Sequence, residues 1–353
     1  MNDSVDVGGG VGVGAEAGIS VGTDAATDAE SSGAGAPVVS VGMPVYNGET
    51  YLEVAISSVL SQTLDDLELI ICDNASTDRT AEICQDYAAR DRRVRYFRNP
   101  QNLGAAPNYN LAFSHARGRY FKWLAHDDRI TPTYLAKTVR VLDERTDAVL
   151  CNSVVQYIDQ NGAPIGIYNT GLALADSQSA ASRFGWMVLR SHSCVDFFGL
   201  IRRSALRDSL LHGSFHGADR ALLAQLAIRG RLIQLPAPLV EMREHPNRYT
   251  RSNVRSADRA AWHDASKRGK ISLPTWRLYA EYLKMVRKER MLPNERSGCY
   301  AALARWWTVN WNMARAAVDV VAVVAPGLPV TAERVKVRLF GAAPGHLLAD
   351  RKR

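Results

Sequence analysis

The chain has 353 residues, 46% of them hydrophobic and 22% charged, with a formal net charge of +7. That length holds one large α/β domain with an appendage. Its five cysteines are widely scattered and match no zinc spacing, which excludes a zinc-ribbon scaffold and fits a reducing cytoplasm.

Residues 1–37 are rich in Gly, Ala, Ser and Val and carry six carboxylates with no Lys, Arg or aromatic residue, so they read as a disordered tail. The run Gly8-Gly9-Gly10-Val11-Gly12-Val13-Gly14 imitates a phosphate loop, but no strand precedes it and no Lys-Ser/Thr ending follows. It is linker. With the acidic tail set aside the rest of the chain carries +13, a balance that suits an anionic ligand or an anionic membrane surface. Nucleic acid is the third option for a basic body, and no stacking-aromatic or helix-turn-helix pattern supports it. The N-terminus has no basic patch or apolar stretch of a signal peptide.

Val38 to Val45 is a continuous apolar run of strand length, followed by the turn signal Tyr46-Asn47-Gly48. Leu52, Ala55, Ile56, Val59 and Leu60 then recur at helical spacing. A second apolar run, Leu67 to Cys72, ends at Asp73, and Ser76 or Thr77 is placed to cap a helix through Ala81, Cys84 and Ala88. A third strand fits Val94 to Phe97, a third helix Ala105 to Ala116, and a fourth strand Tyr120 to Leu124. Strands alternating with helices predict a mostly parallel sheet flanked by helices. Ligands of such sheets bind beyond the carboxyl ends of the strands, which here carry Tyr46, Asp73 and the pair Asp127-Asp128.

Two adjacent acids at a strand tip repel each other and resist desolvation. Either the pair caps the next helix, or Mg²⁺ or Mn²⁺ takes their oxygens together with substrate phosphates. Further on, Val149 to Val155 reads as a strand, Asn161-Gly162 as a hairpin turn before Ile165 to Tyr168, and Asp176 to His192 as a helix-rich lid. Phe197 to Arg203 reads as a buried strand ending in solvated arginines. Asp219 opens an amphipathic helix that reaches Ile228 and stops at Gly230. At that position an acid either stabilises the first helical turn or does chemistry.

Beyond Ser252 the chain turns helical and rich in Arg, Lys, Trp and Tyr. Trp306, Trp307 and Trp311 between Arg305 and Arg315 form a basic aromatic helix that either lies on a membrane or packs on the preceding domain. The apolar run Ala316 to Pro326 contains Asp319 and is too short to span a bilayer. Val330 to Arg353 reads as a frayed end.

Four motifs, in order, resemble family 2 glycosyltransferases with the GT-A fold: Pro44-Val45-Tyr46-Asn47, Asp73-Asn74-Ala75-Ser76-Thr77-Asp78, Asn102-Leu103-Gly104 and Ala125-His126-Asp127-Asp128. The resemblance covers Val38 to Asn247 and implies a GT-A domain over residues 38–250 with a helical extension over 251–353. It also implies inverting transfer of a sugar from a nucleoside diphosphate donor to an acceptor hydroxyl, with Mg²⁺ or Mn²⁺. The implied acceptor is a saccharide or a lipid-linked one, in cell-surface polysaccharide or glycolipid synthesis at the inner face of the plasma membrane. Carried over by position, Pro44 and Tyr46 line the base pocket, Asp73 accepts from the base, Asp127 meets the ribose and phosphates, and Asp128 ligates the metal. Asp219 falls where the family has its catalytic base, with Ala218 in place of the commoner preceding acid. Met242-Arg243-Glu244-His245-Pro246 resembles the family's Arg-x-His segment, which makes His245 a candidate metal or diphosphate ligand and Arg243 a candidate phosphate partner. Relatives often have Arg-Asn where this chain has Tyr109-Asn110, which shifts diphosphate contact toward the metal, Asn110 or another basic group. Two other readings stay open: a sugar nucleotidylyltransferase, which would need a Gly-rich basic loop after the first strand, and a binding protein that retains the pocket without catalysis.

Overall fold

A computed structural model describes residues 35–246, 248, 262–267 and 273–324. The expected tail over 1–37, apart from its last three residues, and the expected frayed end Val330–Arg353 lie outside them.

Nine strands form one sheet in the order β3-β2-β1-β4-β8-β6-β9-β5, with β7 paired to β6. β1 (Val39–Val45), β2 (Leu67–Asp73), β3 (Val94–Arg98) and β4 (Tyr120–Trp123) are mutually parallel. They alternate with α1 (Leu52–Leu60), α2 (Thr80–Arg90) and α3 (Ala105–Ser114). β1 and β2 are buried along their whole length, which is why they read as unbroken apolar runs. Gly42 is needed in β1 because a Cβ there would lie 2.7 Å from the Phe121 ring and 3.0 Å from Ala112. The parallel half thus follows the expected order.

The other half is mixed. β5 (Arg129–Ile130) pairs antiparallel with β9 (Arg231–Arg243), and α4 (Tyr134–Glu144) leads into the long β6 (Ala148–Ile158). β6 runs parallel to β9 but antiparallel to β7 (Pro164–Tyr168) and to β8 (Leu200–Arg202). β8 in turn runs antiparallel to β4. The stretch read as one strand over Phe197 to Arg203 is split: a 3₁₀ turn holds Val195–Phe198 and only three residues join the sheet. Gly199 sits between them against backbone, since a Cβ there would meet the carbonyls of Asp196 and Cys151 at 3.1 Å. Ser76 and Thr77 do not cap α2; Asp78 Oδ1 accepts from Thr80 N–H instead.

α5 (Ala180–Leu189), the short α6 (Arg203–Leu206) and α7 (Ala218–Arg229) follow in the second half. α7 is buried on nearly every side and is not amphipathic, because Ala221, Leu222, Leu223, Leu226 and Ile228 meet the sheet on one side and helices on the other. α8 (Pro274–Lys288) and α9 (Pro293–Trp306) complete that cover, burying Tyr282, Met285, Val286, Leu303 and Trp306 in the same core as Phe121 and Trp123. Trp306 therefore packs inward against Tyr279 and Tyr282, whereas Trp311 is 82% exposed ahead of α10 (Asn312–Val324). All five cysteines are buried and free. No helix among the described residues is long and apolar enough to cross a membrane.

One buried acid locks the amino ends of the parallel strands. Glu68 accepts from Ser40 Oγ at 2.7 Å, from Arg117 N–H and from the Arg95 and Arg117 guanidiniums. Burial opposes its ionisation, but these hydrogen bonds outweigh burial and hold its pKa below the ordinary 4.5. A folded pKa below the unfolded one gives stability that is present above 4.5 and drains away as pH falls through the folded value. Glu68→Gln is expected to cost about 2–3 kcal/mol at pH 7 by chemical denaturation. The gap from wild type should narrow below pH 4.5; a gap independent of pH would contradict this lock.

Candidate functional site

The order of the parallel strands places a crevice between the carboxyl ends of β1 and β4, because the chain leaves β1 toward β2 on one side and returns to β4 on the other. A cavity of about 1550 Å³ opens there. Its walls include Pro44, Tyr46, Asp127, Asp128, Asp219 and His245. Six of the nine residues marked in the sequence are thus brought together.

The loop after β1 is clamped to the loop after β2. Asn47 N–H donates to Ser76 Oγ and Gly48 N–H to Thr80 Oγ1, both at 2.9 Å, while Thr77 N–H donates to Asn47 Oδ1. Asn47 holds a left-handed φ of 50°, which asparagine tolerates better than most residues. The clamp leaves Tyr46 45% exposed at the rim. Beneath it an asparagine network forms the floor. Asn74 donates to Asn102 Oδ1 and the Gly104 carbonyl, Asn99 donates to Asn74 and Asn108, and Asn108 donates to the Cys72 carbonyl.

Three of the residues marked in the sequence do not line the cavity. Asp73 is fully buried and does not line the cavity; its carboxylate accepts from Ser76 N–H, the Tyr96 hydroxyl and Arg98. The neighbouring Asn74 lines the wall instead. Asn110 faces away as well: it donates to the His212 carbonyl and accepts from His212 N–H, tying α3 to the segment before α7. Arg243 is buried with its guanidinium spent on the carbonyls of Asp127, Asp159 and Gln160 and stacked 4.5 Å over the Tyr51 ring. In each case the side chain is satisfied by other groups of the chain rather than turned to the opening.

At the tip of β4 the acid pair is split between two partners supplied by the end of β9. Asp127 Oδ2 lies 2.9 Å from His245 Nε2, and Asp128 Oδ1 accepts from Arg243 N–H at 2.8 Å. Burial pushes both acids up. For Asp127 the His245 hydrogen bond and nearby positive charge outweigh burial and bring its pKa below the usual range. For Asp128 burial and the charge of Asp127 prevail, and its pKa rises well above that range. The pair does not cap a helix, since β5 follows it and α4 starts only at Tyr134. His245 engages Asp127 through Nε2, and its ring lies 5.1 Å from Tyr51. It orients Asp127.

The residues fit a dication of one kind. Among the described residues no group of three or more His, Cys, Asp or Glu could hold a metal, so a closed protein cage is absent there. Two hard carboxylates opening on a cavity match Mg²⁺ or Mn²⁺, which complete their shells with water and substrate phosphates.

Asp219 stands in the first turn of α7, across the cavity, and its Oδ1 accepts from Arg220 N–H. Arg220 reaches back to the carbonyls of Arg190 and His192, fixing the helix start against the loop that carries Ser193 and Cys194. Tyr109, Phe197 and His212 pack ring to ring nearby at 5.0–5.9 Å. Burial lowers the His212 pKa and so favours the neutral ring beside Asp219. His216, Trp262 and His263 continue this wall. The segment 262–267 reaches it because Gly104 has a φ of +90° and no Cβ: one would lie 2.8 Å from Asp264 Cα. Arg248 also lines the cavity. Apart from Tyr109 and Phe197, these wall residues carried no sequence signal, because nothing in their spacing marks a surface formed by the ends of separate elements.

The matches to known proteins agree with this geometry. Residues 40–210 match the family model described as Glycosyl transferase family 2. The chain is similar to the putative glycosyltransferase EpsH of Bacillus subtilis, 35% identical over 123 residues that make 35% of this chain and 36% of the relative. It is also similar to an uncharacterized glycosyltransferase of Haemophilus influenzae, 34% identical over 134 residues, 38% of this chain and 53% of the relative. The chain thus matches between about a third and about half of the length of these curated relatives. Among solved structures, TarS 1-349 of S. aureus in complex with UDP-GlcNAc superposes with a TM-score of 0.55 at 16% identity, over 76% of this chain and 72% of that one. The mannosyltransferase PcManGT of Pyrobaculum calidifontis, in complex with GDP-Man and Mn²⁺, gives 0.53 at 17% identity, over 86% and 81%. At those identities the likeness is one of fold. With residues 40–210 matched, and a mixed sheet of the GT-A kind placing an acid pair at the tip of β4, this chain carries a family 2 glycosyltransferase domain.

Proposed function

We propose that the chain is an inverting, metal-dependent glycosyltransferase that moves a sugar from a nucleoside diphosphate to an acceptor hydroxyl. The observation that carries this reading is one cavity with Asp127 and Asp128 on its β4 side and Asp219 on its α7 side. Its solved relatives of like fold bind UDP-GlcNAc in one case and GDP-Man with Mn²⁺ in another, which supports a nucleotide-sugar donor here.

The base end is Pro44 and Tyr46, where the clamped loops offer an exposed ring, with Asn74 holding the floor beneath it. Asp128 would hold the dication, with Asp127 beside it kept in place by His245. When bound, such an ion supplies charge neutralisation for the departing diphosphate. Asp219 is the general base. It takes the proton of the acceptor hydroxyl as that oxygen bonds to the anomeric carbon, while the bond from that carbon to the diphosphate oxygen breaks. Attack from the face opposite the leaving group inverts the configuration. The ring-rich wall around Tyr109, Phe197 and Trp262 gives a saccharide acceptor flat apolar surface to lie on. The nucleotidylyltransferase alternative lacks support, since the loop after β1 is Tyr46-Asn47-Gly48-Glu49 and brings no Lys or Arg to the cavity.

Asp219→Asn is expected to lower kcat about 10²- to 10⁴-fold while the donor dissociation constant stays within about twofold. A binding protein without catalysis would show no EDTA-sensitive donor turnover in the wild type, and that result would overturn the reading.

A membrane-side location for the reaction is supported by α10. Asn312, Ala316 and Asp319 are buried, whereas Met313, Val318, Val320, Val321 and Val323 are exposed, with Arg315 among them. Such a face suits the interfacial layer of an anionic bilayer. The full chain should co-sediment with vesicles containing anionic lipid, and Val320→Glu with Val321→Glu should reduce the bound fraction at least about tenfold. Equal sedimentation of both proteins would exclude this contact.

A further inference from the structure

We propose that Arg248 is the diphosphate-reading cation of the site, the residue that makes the cavity select a nucleoside diphosphate over the same nucleoside with fewer phosphates. This rests on the donor reading above. Three carboxylates, Asp127, Asp128 and Asp219, line the cavity, and Arg248 is the one Lys or Arg that lines it among the described residues. A diphosphate brings further negative charge into this mouth, and one dication offsets only part of it. A fixed cation is needed, and the other nearby ones among the described residues are committed. Arg243 is spent on three backbone carbonyls, Arg220 on two, and Lys122 is fully buried within β4, bonded to the Phe198 carbonyl and 4.6 Å over the Tyr134 ring.

Arg248 is held but not used up. Its guanidinium pairs with Glu244 one helical-type turn earlier, touches the Met242 sulfur at 3.8 Å and lies over the Tyr157 ring at 5.6 Å. Those contacts occupy two of the five N–H groups of a guanidinium and fix its plane from the β6–β9 side. The acids Asp128 and Asp127 reinforce its charge electrostatically across the same opening. A planar, anchored fork of donors beside the acid pair is the geometry that takes two phosphate oxygens at once. Lysine would supply the charge without the fork.

Binding of UDP, GDP and the matching monophosphates is measured by titration calorimetry with Mn²⁺, for the full chain and for Arg248→Met and Arg248→Lys. Wild type is expected to bind one diphosphate more tightly than its monophosphate. Arg248→Met should weaken the diphosphate about 10- to 100-fold and the monophosphate much less, with Arg248→Lys between the two. Wild-type binding of a diphosphate with the same preference retained in both variants, or equal loss for diphosphate and monophosphate, overturns the role of Arg248 and leaves the donor reading standing. Absence of any diphosphate binding by the wild type overturns both. Arg248→Lys keeps the charge that balances Glu244, so it decides the matter should Arg248→Met fail to fold.

Discussion

Two carboxylates placed side by side at a desolvated strand tip cannot be left alike. Here Asp127 and Asp128 are separated chemically by the end of β9, which brings the His245 ring to the first and the Arg243 N–H to the second. One acid is held ionised and the other is driven toward its neutral form by burial and by its neighbour. The protein therefore carries an unresolved electrostatic cost at this point, of the kind that a divalent ion relieves. Much of the surrounding structure serves to keep that arrangement in place. Tyr51 braces His245 and Arg243 together, β5 pairs with β9 directly after the acids, and the buried Lys122 amine stands behind Asp128. Burial lowers the pKa of that lysine to about 7, with Asp128 opposing the shift.

The parallel half of the sheet was legible because both faces of β1 and β2 are covered, so their sequences are unbroken apolar runs bounded by turn residues. The acid pair was legible for the opposite reason: charge at the end of such a run has no structural excuse. The second half was harder to read. Short β8, split from a 3₁₀ turn at Gly199, and β9, which runs beside β6 through several register shifts, have no clean period. α7 looked amphipathic because Asp219, Arg220 and Gln225 interrupt its apolar residues, yet all but two of its positions from Ala218 to Ile228 are buried.

The three marked residues that do not line the cavity share one feature. Asp73, Asn110 and Arg243 were placed by their position after a strand or within a motif, and each turned out to satisfy buried backbone or buried charge. A polar residue at a strand end has two possible customers, the ligand and the chain itself. Only the three-dimensional partners tell which is served. The residues that do face the opening, such as Asn74, Tyr109, His212 and Arg248, come from loops and helix starts far apart in the chain. Their convergence is a property of the strand order rather than of any local pattern. The same logic makes the α7-side wall ring-rich: it is the edge of the aromatic core, Trp123 stacked on Phe197 at 4.6 Å, reaching the cavity through Tyr109 and His212.

The central claim is that the acid pair holds a dication together with a nucleoside diphosphate. Electron paramagnetic resonance of Mn²⁺ titrated with the protein and UDP or GDP tests it most directly, because the free-ion signal disappears on binding. The account predicts a stoichiometric loss of that signal for the wild type that depends on the diphosphate and is abolished in Asp128→Ala. An equal loss in both proteins, or none in either, would contradict it.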